Sequence, residues 1–477
     1  MVTKMTTGKI TSETTTETEK KQLYIKTYGC QMNVYDSNRM SDILLPLGFE
    51  MTEDLEKADM AIYNTCHIRE KASEKLYSDL GRVKPHKIKR VARGEDMLIA
   101  VAGCTAQAEG AEVMRRAPYV DMEFGPQSYQ ELPEMVARAM RTKEKRDNPL
   151  LRGAGVLNVD FPENPKFDTL PEMTNVEGAS AFLSIQEGCD KFCHFCVVPY
   201  TRGAEYSRPV KDVLKDARRL IELGVKEVTL LGQNVNAYHG ESPNAAGQEW
   251  SLGRLIQEIA EFDAFEIIRY ITSHPRDVTQ DLIEAHRDVK KLSPYLHLPV
   301  QSGSSRILKA MNRKHDRDFY FKLIDRFREA RPDIAFSSDF IVGFPGEDDR
   351  DHKETLDLIR QVNYAQAYSF KYSRRPGTPA WASEQQVDES LKAERLAEVQ
   401  ALLNEQQTAF NQKCVGQEME VLFERKSRHE GQLSGRSPYM QSVYVQANPR
   451  LINTVVPVRI IGCGNNSLTG EVVLLDN

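Results

Sequence analysis

Apolar and polar residues alternate along the chain in two different rhythms, which divide it into regions. In the first region, three short apolar runs are separated by stretches of helical periodicity that begin near Ser37 and Ile68. A strand–helix repeat of this length predicts a parallel sheet, and therefore an N-terminal parallel α/β domain over residues 22–140. The three apolar runs are residues 23–30, 60–66 and 97–104.

Six further strand-like runs alternate with helical segments between residues 179 and 407. The helix predicted over Val210–Leu223 is typical, because Val213 and Leu214 lie on its apolar face and Gly224 follows it. Six such units are too few to close an eight-stranded barrel, so they predict a partial TIM-like (βα)6 barrel with its functional end at the carboxyl edge of the strands. The six runs are residues 182–186, 227–231, 266–272, 295–300, 335–342 and 366–372.

After a long helical stretch over Asp388–Lys413, the apolar period changes to two. Short alternating segments separated by Gly, Asn and Pro predict a small all-β barrel over residues 408–477, of a kind that binds nucleic acid. These segments are residues 419–424, 441–446, 455–461 and 468–473. The chain is therefore expected to be a multi-domain α/β protein, and its length of 477 residues agrees with about three domains.

Two segments show neither the helical nor the alternating periodicity of apolar residues. Residues 1–21 are rich in Thr, Lys and Glu and are expected to form a disordered tail, and the Pro-rich, charged residues 141–178 are expected to form a linker. No apolar run approaches the roughly 20 residues needed to cross a membrane, and no secretion signal is recognisable. These features favour a cytoplasmic protein without a membrane partner.

The distribution of charge along the chain excludes few classes of function. A net charge of −6 weighs against a protein that coats nucleic acid, but local patches matter more than the total. One basic run without acidic residues lies between Leu80 and Gly94. This run fits either a solvated loop or a contact with RNA phosphate.

Three cysteines, Cys189, Cys193 and Cys196, have the spacing C-x3-C-x2-C and are called the loop cysteines below. A [4Fe–4S] cluster has four irons that each need a ligand, so three thiolates leave one iron open to a substrate or cofactor. Structural zinc sites need four ligands, which makes zinc a weaker alternative. A disulfide framework is not expected in a long chain without a secretion signal.

Three more cysteines, Cys30, Cys66 and Cys104, are far apart in the chain, but each ends a predicted strand. The carboxyl ends of parallel strands share one edge, so these strand-end cysteines are expected to converge and to hold a second cluster with an open iron. Any one of the six cysteines, taken alone, fits equally well a buried thiol that acts as a small hydrophobe. That structural interpretation is favoured for Cys414 and Cys463.

Nine motifs resemble those of the methylthiotransferase family of radical S-adenosylmethionine enzymes, from about residue 22 to 475. Two of them, Val197–Gly203 and Leu230–Asn236, favour the branch of the family that acts on isopentenyladenosine. His67 departs from the family, which more often has a small residue there; it either tunes the adjacent cluster or has no role. The other motifs are Thr27–Asn33, Asn64–Cys66 with Arg69–Ala72, Gly103–Cys104, Gly188–Cys196, Pro299–Ser304, Asp339–Glu347 and Tyr372–Pro379.

The resemblance implies an N-terminal methylthiotransferase domain, a radical domain and a C-terminal TRAM domain that binds RNA. It also implies two [4Fe–4S] clusters and two molecules of S-adenosylmethionine per turnover. One molecule methylates sulfur held at the N-terminal cluster. The second yields a 5′-deoxyadenosyl radical that abstracts hydrogen from C2 of N6-isopentenyladenosine at position 37, next to the anticodon of tRNA. An electron donor such as flavodoxin or ferredoxin and a sulfur source are further expected partners.

Several polar and aromatic residues are candidates for binding S-adenosylmethionine. Phe195 is expected beside the adenine or in the core, and Arg208 is expected either on the cofactor carboxylate or in a surface ion pair. The remaining candidates follow the cluster loop or end barrel strands, where polar residues line sites; they are Glu205, Gln233, Asn234, Ser273, Gln301 and Asp339. Candidates for RNA contact through charge or stacking, each with a structural alternative, are Arg374, Arg375, Arg436 and Tyr439.

Two alternatives to this function stay open. One is a sibling methylthiotransferase that acts on threonylcarbamoyladenosine in tRNA or on a ribosomal protein. The other is an iron–sulfur protein that binds RNA without catalysis, although such a protein has no need for two sites with open irons.

Overall fold

A computed structural model describes residues 20–67, 70–143, 153–162, 165–174, 176, 178–245 and 247–473. Residues 1–19 of the predicted disordered tail lie outside the described residues. A strand begins at Lys21, the last residue of that predicted tail. Within the described ranges, no helix is both long and apolar enough to cross a membrane.

The N-terminal unit is a parallel sheet with helices on both faces, as predicted. Its six strands lie in the order β2-β1-β3-β4-β5-β6. The central strands β3 and β4 are buried along their whole length, as expected for a sheet covered on both faces. The strands are β1 Lys21–Thr27, β2 Phe49–Met51, β3 Met60–Thr65, β4 Leu98–Gly103, β5 Met122–Phe124 and β6 Val156–Asn158. The helices are α1 Gln31–Leu44, α2 Glu70–Ala92, α3 Cys104–Glu109, α4 Ala111–Arg116 and α5 Leu132–Lys143.

Two segments of this region have regular structure that the sequence did not indicate. The predicted linker 141–178 contributes β6, which pairs in parallel with β5 and extends the sheet. The basic run is not a loop but the second half of α2. Lys87 in that half is buried and its Nζ lies 2.6 Å from Oδ2 of the buried Asp121, so part of the basic charge is internal.

The central unit is a partial barrel of six parallel strands, which confirms the predicted architecture. Its strands form two sheets, β13-β10-β7 and β14-β15-β16, and a single bridge between Ile268 and Leu292 links them. The face of α7 that carries Val213, Leu214 and Ala217 packs into the core, as its periodicity predicts.

The barrel strands are β7 Ser180–Ser184, β10 Glu227–Leu231, β13 Ile267–Tyr270, β14 Tyr295–His297, β15 Ala335–Val342 and β16 Gln366–Lys371. Shorter strands of the same unit are β8 Gln186–Glu187, β9 Tyr206–Ser207, β11 His239–Glu241 and β12 Glu249–Ser251. The helices are α6 Val198–Arg202, α7 Val210–Glu222, α8 Leu252–Ala260, α9 Gln280–Asp288, α10 Ser305–Ala310, α11 Arg317–Ala330, α12 Asp349–Val362 and α13 Glu389–Cys414.

The C-terminal unit is a closed barrel of five antiparallel and parallel strands in the order β17-β18-β19-β21-β20. Helix α13 runs across the predicted domain boundary at residue 408 and ends at Cys414, whose buried thiol packs in the small barrel. The strands are β17 Glu418–Lys426, β18 Gln432–Arg436, β19 Ser442–Gln446, β20 Val455–Cys463 and β21 Ser467–Val472.

One buried arginine fastens the small barrel to the partial barrel. Arg269 on β13 pairs with Glu227 at 2.9 Å and donates to the carbonyl oxygens of Ser437 at 3.1 Å and Pro438 at 2.9 Å. Because Arg269 is only 3% exposed, these bonds form away from solvent. They fix the loop after β18 against the sheet, and this loop carries Tyr439.

Candidate active site

A cavity of about 1020 Å³ lies at the carboxyl ends of the barrel strands. All three units contribute to its wall, from Cys30 in the N-terminal unit to Asn466 in the small barrel. The three loop cysteines line it, together with Cys30 and Cys66 of the strand-end cysteines. Cys104 is not part of the lining and is buried behind it.

The loop cysteines follow β8 in a turn that is fixed by backbone contacts. Gly188 has a φ of +74°, and a Cβ there would lie 1.8 Å from the carbonyl oxygen of Ala204, so only glycine fits. The Gly188 N–H donates to Oε1 of Gln233 at 2.5 Å. Phe192 also has a left-handed φ of 47°, which is unusual for an aromatic residue and marks a turn held by its surroundings.

An arginine donor and a backbone acceptor reach this loop from the turn after α10. Arg313 Nη1 donates to the thiol sulfur of Cys193 at 3.5 Å, and the backbone N–H of His194 donates to Met311 O at 3.0 Å. Arg313 is buried, and its other terminal nitrogen donates to Pro299 O at 2.6 Å. These two hydrogen bonds fix the position of the Arg313 guanidinium beside Cys193.

The strand-end cysteines converge, as the parallel sheet predicts. Cys30 precedes α1, Cys66 follows β3, and Cys104 begins α3. A hydrogen bond with Cys66 lowers the pKa of Cys30 to about 6, whereas burial raises the pKa of Cys104. Cys30 and Cys104 lie at helix N-termini, which favour a thiolate, but at Cys104 the effect of burial is larger.

The donors of both groups are thiols, the usual ligands of iron–sulfur clusters. Within the described part of the chain, no group of three or more His, Cys, Asp or Glu side chains lies close enough to bind a single metal ion. A [4Fe–4S] cluster places each thiolate on a different iron and so needs more widely spaced thiols. Burial raises the pKa of Cys189 to about 11 and of Cys196 to about 12, so these thiols need bound cations to ionise at neutral pH.

Five predicted strand-end residues lie in the cavity wall. The buried Asn234 Oδ1 and Ser273 Oγ have no hydrogen-bond partner in the described structure, which is typical of atoms that await a ligand. Thr272 and Gln301 have φ angles of 71° and 77°, so the backbone at these strand ends is strained. The five residues are Gln233, Asn234, Ser273, Gln301 and Asp339.

The other cofactor candidates divide into two groups. Phe195 lines the cavity and also packs in the small apolar cluster around Phe344. Glu205 and Arg208 do not line the cavity. Arg208 is buried and donates to Asp216 at 2.8 Å, so it forms an ion pair, but inside the protein rather than at its surface.

Three of the four RNA candidates lie in the cavity wall: Arg375, Arg436 and Tyr439. Arg436 also pairs with Glu424 at 3.0 Å, and Tyr439 packs edge-on against Phe410. Arg374 lies outside the wall, and its guanidinium donates to the Trp381 carbonyl at 2.6 Å. His67 is partly buried, and burial lowers the pKa of its imidazole.

Four residues with a place at the site were not predicted from the sequence. Arg202 and Arg313 contact cysteines through long-range folding that no local pattern indicates. Tyr368 and Phe370 line the cavity on β16 and are 44% and 39% exposed. Their i, i+2 spacing on a predicted strand puts both rings on one face, and this signal was available in the sequence.

Three families match the chain in the order of its three units. An uncharacterized protein family, UPF0004, matches residues 22–125, the Radical SAM superfamily matches residues 183–359, and the TRAM domain matches residues 412–473. The radical SAM match supports a [4Fe–4S] cluster and S-adenosylmethionine as cofactors.

Relatives match over almost the whole chain. A protein of Rickettsia felis is 55% identical over 95% of this chain and 100% of its own length. A protein of Maricaulis maris is 56% identical over 95% of this chain and 98% of its own length. Both are named tRNA-2-methylthio-N(6)-dimethylallyladenosine synthase.

Solved structures of low sequence identity share the fold. TsrM from Kitasatospora setae, a radical S-adenosylmethionine methyltransferase, has a TM-score of 0.53 at 12% identity, over 76% of this chain and 75% of that chain. The cobalamin-dependent radical enzyme OxsB has a TM-score of 0.51 at 14% identity, over 80% of this chain and 56% of that chain.

Proposed function

This chain belongs to the family of tRNA-2-methylthio-N(6)-dimethylallyladenosine synthases, and from that premise we propose that it methylthiolates C2 of N6-isopentenyladenosine at position 37 of tRNA. The observation that carries the proposal is that five of the six cysteines of the two groups, which come from two units, line one cavity, while the sixth, Cys104, is buried. With a cluster bound at each group, such a cavity would bring a source of radicals close to a source of sulfur, and both are needed to replace an aromatic C–H bond with a methylthio group.

The loop cysteines would hold one [4Fe–4S] cluster and the strand-end cysteines a second. When bound, the first supplies reductive cleavage of S-adenosylmethionine to the 5′-deoxyadenosyl radical that abstracts the C2 hydrogen, and the second supplies sulfur that another S-adenosylmethionine methylates. The chain itself binds, orients and shields the reactants. Asn234 and Ser273 provide buried polar atoms without protein partners for this purpose.

The substrate base must leave its stack to reach the cavity, and bases of an anticodon loop do so at low cost because they are unpaired. A cavity of about 1020 Å³ has room for a cofactor and a base together. We assign Arg375 and Arg436 to phosphate contact and Tyr439 to stacking, since all three line the cavity, Arg436 and Tyr439 from the small barrel. The electron donor would be of the flavodoxin or ferredoxin type, and the sulfur source a separate partner.

The test is an anaerobic assay of cluster-loaded protein with reductant, S-adenosylmethionine and tRNA that bears N6-isopentenyladenosine, followed by mass spectrometry of nucleosides. The expected products are the 2-methylthio nucleoside and 5′-deoxyadenosine. If 5′-deoxyadenosine forms without the modified nucleoside, a sibling substrate is favoured. If neither product forms from protein with verified clusters, the protein is not this enzyme.

Cysteine variants separate the two halves of the proposal. Alanine at all three loop cysteines should abolish 5′-deoxyadenosine formation, whereas alanine at the strand-end cysteines should preserve it and abolish the methylthio product. Cys463→Ala is the matched control, because Cys463 lies in the small barrel outside the cavity wall and should retain both products. A methylthio product from either triple variant would refute the role given to that group.

A further inference from the structure

Arg202 lies between the two cysteine groups. It is the last residue of α6, which begins at Val198, just after the loop cysteine Cys196. Its Nη1 lies 2.5 Å from Oε1 of Glu187, and its Nη2 lies 2.5 Å from Oδ2 of Asp36 on α1 of the N-terminal unit. Arg202 is 3% exposed, so both ion pairs form without water.

The same guanidinium also reaches the strand-end cysteines. It lies within hydrogen-bonding reach of the buried Cys104 thiol. Arg202 therefore belongs to the radical unit by sequence but contacts a cysteine of the N-terminal unit. Arg313 has the corresponding place at the loop cysteines, through its contact with Cys193.

We propose that Arg202 is a positioning residue for the cluster of the strand-end cysteines and that its fixed positive charge raises the reduction potential of that cluster. The inference rests on the proposed function, because it requires the strand-end cysteines to hold a cluster. Charge and hydrogen bonds around the sulfurs set iron–sulfur potentials, and both act strongly where water is excluded. A permanent guanidinium stabilises the reduced, more negative form of such a cluster.

The charges around Arg202 decide which variants can test this proposal. Arg202 and Lys166 face Asp36 and Glu187, and all four side chains are buried, so the group is balanced. Removing Arg202 alone would leave two buried carboxylates with one cation, which endangers folding. Asp36→Asn combined with Arg202→Gln keeps the remaining pair, Lys166 and Glu187, in balance.

The experiment compares Asp36→Asn with Asp36→Asn/Arg202→Gln, both in full-length protein whose loop cysteines are replaced by alanine. Only the strand-end cysteines can then hold a cluster. Iron content and an EPR-monitored redox titration give the occupancy and the midpoint potential. The expected result is a retained cluster whose potential is more negative in the variant that lacks Arg202.

Two further variants act as controls in the same background. Arg202→Lys keeps the charge and should keep the potential close to that of the parent, and Arg313→Gln should leave it unchanged because Arg313 contacts only the other group. An equal potential with and without Arg202, at equal iron content, overturns the inference and leaves the proposed function intact. If the parent protein itself binds no iron at the strand-end cysteines, the proposed second cluster fails.

Discussion

Buried ionisable side chains in this protein differ in whether an opposite charge balances them. Arg202 and Lys87 have buried acidic partners, whereas the buried Glu123 on β5 faces another acid, Glu109. Burial, with a contribution from Glu109, raises the pKa of Glu123 to about 8. The folded protein therefore binds a proton at Glu123 at neutral pH that an unfolded chain releases.

This difference predicts a pH-dependent stability. Between the ordinary pKa of a glutamate and about 8, the folded state binds more protons than the unfolded state, so Glu123 costs stability as pH rises. Glu123→Gln removes this cost, and its advantage over the wild type should grow by about 2 kcal/mol from pH 6 to pH 9. Urea unfolding at both pH values measures it.

The exposed Glu53 provides the control, since Glu53→Gln should show no such trend. A constant difference between Glu123→Gln and the wild type across this range would contradict the assigned cause.

At the scale of single residues, the sequence predicts those functional residues that a short motif or a strand end identifies. The C-x3-C-x2-C spacing is visible in one stretch of chain, and strand ends indicate where Cys30 and Cys66 meet. Arg202 and Lys87 could not be assigned in this way, because their partners are distant in the chain. A basic residue looks the same in a sequence whether it is solvated or buried with an acid.

At the scale of elements, β16 is the strand that carries aromatic rings into the cavity wall. It pairs with β15 so that Tyr368 lies opposite Asp339 and Phe370 opposite Ile341, and all four line the cavity. The rings are half-exposed, whereas aromatic rings in the core are buried. An exposed aromatic pair beside basic residues fits stacking with unpaired bases.

Replacing both rings should therefore weaken RNA binding. Tyr368→Leu/Phe370→Leu removes the stacking faces and should raise the Kd for an anticodon stem-loop about 10- to 100-fold, since stacking contributes about 1–3 kcal/mol per base. Fluorescence anisotropy with labelled RNA measures the change. Phe319→Leu, at an exposed ring on α11 outside the wall, is the control and should bind as the wild type does. Equal affinity of all three proteins would rule out stacking on β16.

The elements that sequence reasoning missed are those with weak periodicity. β18 contains Ser434 and Gly435 within five residues, so it shows no clear alternation, yet the barrel closes only through its pairing with β17 and β19. β6 is three residues long and is stabilised by its neighbour β5. Strongly periodic elements such as α7 and β15 were predicted correctly because their own residues specify them.

At the scale of the whole molecule, buried polar contacts hold the units in fixed positions. Arg39 on α1 donates to the carbonyl oxygen of Pro171 and pairs with Asp42, which in turn accepts from Thr174 at 2.6 Å. Arg269 likewise joins the small barrel to the partial barrel, through its ion pair with Glu227 and its bonds to the loop after β18. These contacts join parts of the chain whose proximity no local pattern indicates.

Arg269→Met should lower the free energy of unfolding by about 3–5 kcal/mol, because the buried Glu227 would lose the cation paired with it. It should also increase proteolytic release of the small barrel, whose loop loses two hydrogen bonds. Urea unfolding and limited proteolysis measure both effects.

The neighbouring Lys226→Met is the matched control. Its ion pair with Glu266 is partly exposed, so its loss should change stability by no more than about 1 kcal/mol. A similar small effect at Arg269 would show that the small barrel is held by other contacts.

Because all three units share the wall of the cavity, the small barrel affects how much cofactor is consumed for each product formed. A chain cut after α13 would keep all six cysteines of the two groups, but the side of the cavity that holds Arg436 and Tyr439 would open to bulk water. Reactive intermediates there would be quenched by solvent or reductant before they met a base. Under the proposed function, the truncated protein would consume cofactor in futile cycles, and the small barrel would keep the reaction coupled as well as capture RNA.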